Sequence, residues 1–486
     1  MNFRMIKYTV GWLLIFESTF FLVPIITGLC YHEWQSVFSF LATALVTVAT
    51  GLLCILFLKP KEKKLYQKEG LVICALSWIV LSVFGAVPFV LSGATNSYID
   101  ALFETISGFT TTGASIFSAV EDLSHAVLIW RSFTHWIGGM GVLVFILAIL
   151  PLGGGQSMHI MRAESPGPTV SKLVPKVKNT AIILYTIYFA LSVIMLVALL
   201  VSGVDFFEAV NITFSTAGTG GFGIHNDSMA SASTTTLVIV TVFMLLFSIN
   251  FSSYFLLFRA RFKDAFNSEI RVFLGVVAGI IITIALNLYF TGTIENLSEA
   301  FLHSSFMSAS IVSTTGHVTL EILAWPELSK FLLLFLMLMG ACAGSTGGGI
   351  KVSRIVMLAK GMLREMKMLV HPRQVKKITV DGNTVEHEVV RSVNAYIVTY
   401  FAVFILSMVL LSLCTFGGEP IAFETNFTTT MTTLNNVGPA FGQVGSTGNF
   451  GAFSNFAKIV YMFNMLIGRL ELFPLLVLFT PATYKK

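Results

Sequence analysis

Ten long apolar runs decide what this chain can become. They fall at about 9–30, 37–58, 70–93, 126–151, 180–202, 233–258, 270–291, 329–361, 392–416 and 452–480. A helix of about 20 residues crosses a hydrocarbon core of about 30 Å, so each run is long enough to span. Charged types make up only 11% of the 486 residues and hydrophobic types 55%, against about 25% charged in a soluble chain. That composition excludes a soluble enzyme, a disordered scaffold and a nucleic-acid binder with a long basic arm. A membrane β-barrel would show weak alternating strands instead. The expected fold class is an all-α polytopic membrane protein with ten transmembrane helices. Arg4 and Lys7 precede the first run. No small-residue cleavage site follows that run, so it reads as a retained span rather than a signal peptide. Cys30, Cys54, Cys74, Cys342 and Cys414 all sit in apolar runs without a CxxC pair. They read as small hydrophobes, not as a disulfide framework or a zinc site.

The placement of charge sets an expected orientation. The N-tail, segments 59–69, 153–179, 259–271 and 351–391, and the C-tail hold 26 of the 30 Lys and Arg residues. By the positive-inside rule these segments are cytoplasmic, together with both termini. The alternate loops, 31–36, 94–126, 203–232, 292–329 and 417–457, hold no Lys or Arg and 14 of the 25 acids. An outer mouth of one sign concentrates counter-ions, so the outer face is arranged for cations.

Four shorter stretches, at about 99–118, 205–223, 296–319 and 421–443, are rich in Thr, Ser and Gly. They are too polar for lipid and too apolar for ordinary loops, and backbone of that kind at membrane depth is buried or lines water. They read as re-entrant pore loops. All lie on the acidic side, each opening with an acid (Glu104, Glu208, Glu299 or Glu424) and ending at a glycine. The glycines are Gly113, Gly218, Gly316 and Gly438, spaced 105, 98 and 122 residues apart. The second is chosen over Gly220 on spacing alone. The expected organisation is an N-terminal pair of spans (1–69) and four span–loop–span repeats at 70–179, 180–265, 266–390 and 391–486, with fourfold pseudo-symmetry. Such a ring reads as a selectivity filter. Backbone carbonyls replace the water shell of a cation without trapping it. Glycine at positive φ lets a carbonyl turn inward without Cβ strain. Small and hydroxylic residues also serve close helix packing, but four matched stretches on one side favour a pore.

The residues Thr110-Thr111-Thr112-Gly113, Ser215-Thr216-Ala217-Gly218, Ser313-Thr314-Thr315-Gly316 and Asn436-Val437-Gly438 resemble the filter loops of the Trk/Ktr/HKT superfamily of potassium uptake proteins. The likeness is nearest to the TrkH type and covers the whole chain. It implies a potassium-selective constriction at these residues, with rubidium also accepted. Glycine at 113, where sodium-favouring relatives have serine, fits potassium. Asn435 and Asn436 stand where the other loops carry hydroxyls, a departure from a symmetric cage.

Below the filter, the run 329–361 would be about 50 Å long as one helix, too long for the core. It is interrupted at 340–351 by Gly344-Ser345-Thr346-Gly347-Gly348-Gly349. Three successive glycines break a helix, and the broken segment should border water or be packed in protein. The resemblance makes this loop a gate beneath the filter. A phosphate loop is excluded, because Ile350 stands where lysine is needed. Arg469 lies deep in the last run, where an ionisable group faces a cavity or a partner. The resemblance places it in the pore as part of the gate. Glu471, two residues on, does not share its helix face. Arg131 and Lys458, near outer helix ends, read as snorkelling. Glu17 has no assigned role. His317 reads mainly as a hydrogen-bonding residue near the mouth, and His135 as packing.

The expected function is potassium-selective uptake across the inner membrane, without covalent chemistry; neither HExxH nor GxSxG occurs. The alternative is a symporter coupled to protons or sodium, for which Glu17 and Glu471 are the available intramembrane acids. The resemblance further implies a homodimer and a TrkA-type cytosolic ring that binds nucleotides or NAD, with no cofactor on this chain beyond the potassium ion. The basic segments 59–69 and 351–391 would suit its docking, although orientation alone also explains them.

Overall fold

The computed structural model describes residues 1–57, 60, 66–141, 177–372, 377–445 and 449–484. Helices dominate it. The chain opens with α1 (Phe3–Phe20) and α2 (Leu22–Cys30), then α3 (Trp34–Phe57). Helix α3 packs along α1. Gly11 and Gly51 let the two backbones meet, since a Cβ on Gly51 would lie 2.8 Å from the Gly11 carbonyl oxygen. Next come α4 (Gln67–Leu91), α5 (Tyr98–Phe109) and α6 (His125–Gly139). They are followed by α7 (Val177–Val201), α8 (Phe206–Ala217), α9 (Thr234–Phe247) and α10 (Phe251–Phe258). Then stand α11 (Ser268–Phe290), α12 (Leu297–Val312), α13 (Glu327–Met339) and α14 (Val352–Val370). The last are α15 (His387–Leu411), α16 (Phe423–Asn435), α17 (Asn455–Arg469) and α18 (Phe473–Leu478).

Among the described residues, six helices are long and apolar enough to cross a membrane by length and composition, and a seventh if α9 and α10 count as one span. Three of the remaining runs seen in the hydropathy are interrupted, and the fourth is described only in part. The run at 126–151 is described only as far as 141. Those at 329–361 and 452–480 are broken, the first between α13 and α14 and the second at Leu470–Leu472, where Glu471 and Leu472 have φ of 54° and 67°. The run at 233–258, read as one span, bends by 89° between α9 and α10. Asn250 caps α10 through its side chain. The carbonyls freed at the bend are taken up by another segment: Phe247 and Ser248 accept from the Thr346 and Cys342 N–H groups at 3.4 and 3.1 Å. Many basic residues used for orientation, including those at 61–64, 162–176 and 485–486, lie outside the described residues.

Four helices fall on the Thr-, Ser- and Gly-rich stretches. Helices α5, α8, α12 and α16 have 12, 12, 16 and 13 residues, which is about 18–24 Å at 1.5 Å per residue. None crosses a ~30 Å core alone. Each carries an acid in its first turn: Asp100, Glu208, Glu299 and Glu424. An anion there is stabilised by the positive helix end. In the first unit this corrects the sequence reading, which took Glu104 as the opening acid; Glu104 lies inside α5 and is fully buried. The packing is cyclic. Helix α5 lies between α4 and α6, α8 between α7 and α9, α12 between α11 and α13, and α16 between α15 and α17. Each also touches the helix that closes the preceding unit in the circle: α8 touches α6, α12 touches α9, α16 touches α13, and α5 closes the circle on α17.

Between α14 and α15 a small hairpin pairs Thr379–Val380 with Asn383–Thr384. Asp381 and Gly382 turn it with φ of 49° and 80°, as a two-residue Asp-Gly turn requires. The Asp381 carboxylate accepts from the Ser268 N–H at 2.8 Å, docking the hairpin on the start of α11.

Candidate functional site

After each short helix the backbone makes the same turn. A residue enters the left-handed region: Thr111 (φ 55°), Thr219 (56°), Thr314 (61°) and Asn436 (56°). Two residues later a glycine has positive φ: Gly113 (78°), Gly221 (81°), Gly316 (80°) and Gly438 (104°). The residue between them donates its N–H back to the helix five residues earlier: Thr112 to Ser107 O (2.9 Å), Gly220 to Ser215 O (2.8 Å), Thr315 to Ser310 O (2.9 Å) and Val437 to Thr432 O (3.0 Å). This shared pattern fixes the register and corrects the second loop. Gly218 has φ −69° and caps α8. Thr216 and Ala217 are the last residues of that helix. The positions matching Thr111-Thr112-Gly113 are Thr219-Gly220-Gly221. In the third and fourth loops the same turn falls at Thr314-Thr315-Gly316 and Asn436-Val437-Gly438.

The four loops close on one another. A Cβ on Gly113 would lie 1.9 Å from the Gly220 carbonyl oxygen, and one on Gly221 would lie 2.0 Å from that of Thr315. On Gly316 it would lie 2.0 Å from Val437 O, and on Gly438 it would lie 2.7 Å from Thr112 O. Each loop thus abuts the next in chain order, and the fourth abuts the first. Only glycine fits such an approach at positive φ. One cavity of about 110 Å³ touches all four of these glycines and not Gly218.

Three of the left-handed residues are threonines, and a β-branched residue there is strained. Asn436 tolerates the conformation better. Its amide also donates to Thr112 Oγ1 (3.0 Å) and Met465 O (2.9 Å), so the departure from hydroxyls ties the fourth loop to the first and to α17. Asn436→Ala removes both bonds. It should cost about 1–3 kcal/mol, read as a lowered thermal-unfolding midpoint in detergent.

Behind the ring lie charges that the sequence placed wrongly. Arg131 is 2% exposed and pairs with buried Glu104 at 2.7 Å, so it does not snorkel. Lys458 is buried as well and meets Asp100 at 2.6 Å. Both partners sit on another helix, where sequence spacing carries no sign of them. His135 meets Gly108 O through Nδ1 at 2.8 Å and bonds to the Phe222 N–H through Nε2 at 3.3 Å. His317 is buried against Ser215 and Thr216.

The interrupted segment between α13 and α14 lies directly beneath the third and fourth loops. The Gly348 N–H donates to Thr314 Oγ1 (2.7 Å), and the Gly349 N–H to Asn435 O (3.1 Å). A Cβ on Gly347 would lie 2.8 Å from Ser313 O, and one on Gly348 would lie 2.3 Å from Asn435 O. Glu269 holds the segment from outside, accepting from the Ala343 N–H (2.7 Å) and the Ser353 N–H (3.2 Å). The Lys351 ammonium caps the Gly347 carbonyl. Arg469 reaches the segment from α17. It donates to Thr346 O (2.8 Å) and, on α6, to Gly139 O (2.7 Å) and Gly138 O. A cavity of about 70 Å³ beneath the ring is lined by Gly344, Ser345, Gly347, Gly348, Gly349 and Arg469, among others. Glu471 pairs with Arg354, not with Arg469. Glu17 is fully buried, with neither carboxyl oxygen hydrogen-bonded. Among the described residues no group of three or more His, Cys, Asp or Glu side chains is placed to hold a metal.

Residues 36–484 match the family described as TrkH, cation transport protein. The chain is 36% identical over 491 residues to the Trk system potassium uptake protein TrkH of Escherichia coli (strain K12), covering 100% of both. It is 35% identical over 496 residues to the protein of the same name from Halomonas elongata, again covering 100% of both. Its structure is similar to the crystal structure of the potassium transporter TrkH from Vibrio parahaemolyticus, with a TM-score of 0.89, 33% identity and 100% of each chain covered.

Proposed function

Since the chain belongs to the TrkH family of cation transport proteins, we propose that it takes up potassium through the ring of four loops as a channel-like pore. The closed circle of positive-φ glycines carries this reading. A potassium ion entering the ring exchanges its water for carbonyl oxygens of Thr112, Gly220, Thr315 and Val437 and their neighbours. These oxygens are neutral, so the ion is coordinated without being trapped. The acid-rich outer loops concentrate cations at the entrance. Beneath the ring, the segment Gly344–Gly349 and the Arg469 guanidinium form the gate. A fixed positive charge on the ion's path raises a barrier to cations and bonds the segment in place.

The wider setting belongs to the same proposal. The chain sits in the inner membrane with both termini cytoplasmic and acts as a homodimer. A TrkA-type cytosolic partner that binds nucleotides or NAD regulates the gate. The chain itself carries no cofactor.

The test is ion flux into liposomes holding the purified chain alone, with potassium, rubidium or sodium, with and without a proton gradient. Potassium and rubidium should enter down their own gradients faster than sodium. Flux that requires the proton gradient would overturn the pore in favour of coupled symport. Equal potassium and sodium flux would overturn the filter.

A further inference from the structure

Arg131 and Glu104 form a fork behind the first two loops. The Arg131 Nε donates to Glu104 Oε1 at 2.7 Å. Its Nη1 donates to Gly223 O at 3.1 Å and its Nη2 to Ser115 Oγ at 3.1 Å. Glu104 in turn accepts from Ser115 Oγ (3.0 Å) and from the Ile116 N–H (2.9 Å). Ser115 follows Gly113 by two residues, and Gly223 follows Gly221 by two. One buried pair therefore fastens the outgoing ends of two adjacent filter loops. The guanidinium also lies 4.3 Å from the centre of the Phe222 ring and lines the cavity above the glycines.

We infer that Arg131, oriented by Glu104, is a positioning residue that determines selectivity by fixing the spacing of the first and second loops. This rests on the ring acting as a potassium filter. Stability is a weak explanation for the pair, because a buried ion pair is often no better than an apolar replacement. A bare cation beside a cation entrance would also oppose the ion, and Glu104 neutralises it. The fork contributes geometry. Arginine donates in fixed planar directions, so one side chain can hold Glu104, Ser115 and Gly223 at set separations. A ring free to widen admits partly hydrated ions, and one free to shrink suits sodium. Either change erodes the preference for potassium.

The test compares potassium, rubidium and sodium flux in liposomes for wild type, Arg131→Lys, Ser115→Ala and the double variant Glu104→Gln/Arg131→Gln, each checked for folding by size-exclusion profile. Arg131→Lys keeps the charge and loses the fork. It should lower the potassium-to-sodium ratio about tenfold, the weight of one charge-assisted hydrogen bond, while potassium flux persists. Ser115→Ala leaves the ion pair and should lower the ratio by a smaller factor. The neutral double variant should also lose selectivity. A purely structural pair would reduce total flux at a constant ratio, and that result in folded Arg131→Lys and Ser115→Ala overturns the inference. Should Arg131→Lys fail to fold, an unchanged ratio in Ser115→Ala overturns it by itself. A selective wild type with unaltered variants sinks this inference alone. An unselective wild type sinks the filter reading and this inference with it.

Discussion

Gly221→Ala should abolish selective potassium uptake. The added Cβ would lie 2.0 Å from the Thr315 carbonyl oxygen and 3.1 Å from the Gly316 carbonyl carbon. Both are backbone atoms of the next loop, so no side chain can yield. Backbone conformation adds to the clash, because φ is 81° there and an L-residue in the left-handed region costs about 1–2 kcal/mol. The strain is relieved only by moving the second loop away from the third, which opens the ring. A displacement worth about 3 kcal/mol corresponds to a loss of more than about hundredfold. Rubidium uptake in cells without other potassium uptake systems measures it, with growth on low potassium as the second readout. Gly275→Ala and Gly279→Ala are the controls, since nothing lies within 4 Å of either new Cβ. Wild-type uptake by Gly221→Ala would return the second filter position to another glycine.

Arg469→Gln should have the opposite sign and raise flux. The guanidinium ties α17 to Thr346 on the gate segment and to Gly138 and Gly139 on α6. Hydrogen bonds from a charged group are worth about 1.5–3 kcal/mol each. Losing two would shift a closed-to-open balance by about 3 kcal/mol or more, roughly a hundredfold in the open fraction while the closed state still dominates. Removing a positive charge from the path acts in the same direction. Potassium flux in liposomes without any regulatory partner should therefore rise about ten- to hundredfold. The potassium-to-sodium ratio should hold, because the ring above keeps its contacts. Unchanged or reduced flux from a folded variant would remove Arg469 from the gate.

The long apolar runs, the short polar stretches and the glycine-broken segment at 340–351 were readable because each depends on local composition. The register of the second loop was not legible. Thr111-Thr112-Gly113 and Thr314-Thr315-Gly316 place a threonine two residues before the glycine, but Thr216-Ala217-Gly218 and Thr219-Gly220-Gly221 both do so. Three glycines in four residues hid it, since spacing cannot say which one leaves the helix. The buried pairs were hidden for another reason. Glu104 and Arg131 are 27 residues apart, Arg354 and Glu471 are 117 apart, and helix geometry brings each pair together. The bend between α9 and α10 escaped because its flanks are as apolar as those of a straight span. Ser248, Ile249 and Asn250 are all that stands between the two helices.

That bend has a mechanical side. Across it the segment between α13 and α14 and the broken helix exchange backbone hydrogen bonds in both directions. The Cys342 and Thr346 N–H groups donate to Ser248 and Phe247, and the Phe251 N–H donates to Gly344 O at 3.0 Å. Two of these bonds reach the end of α9 and one the start of α10, so the segment braces both arms of the elbow, and a change in the bend angle has to break or re-aim them.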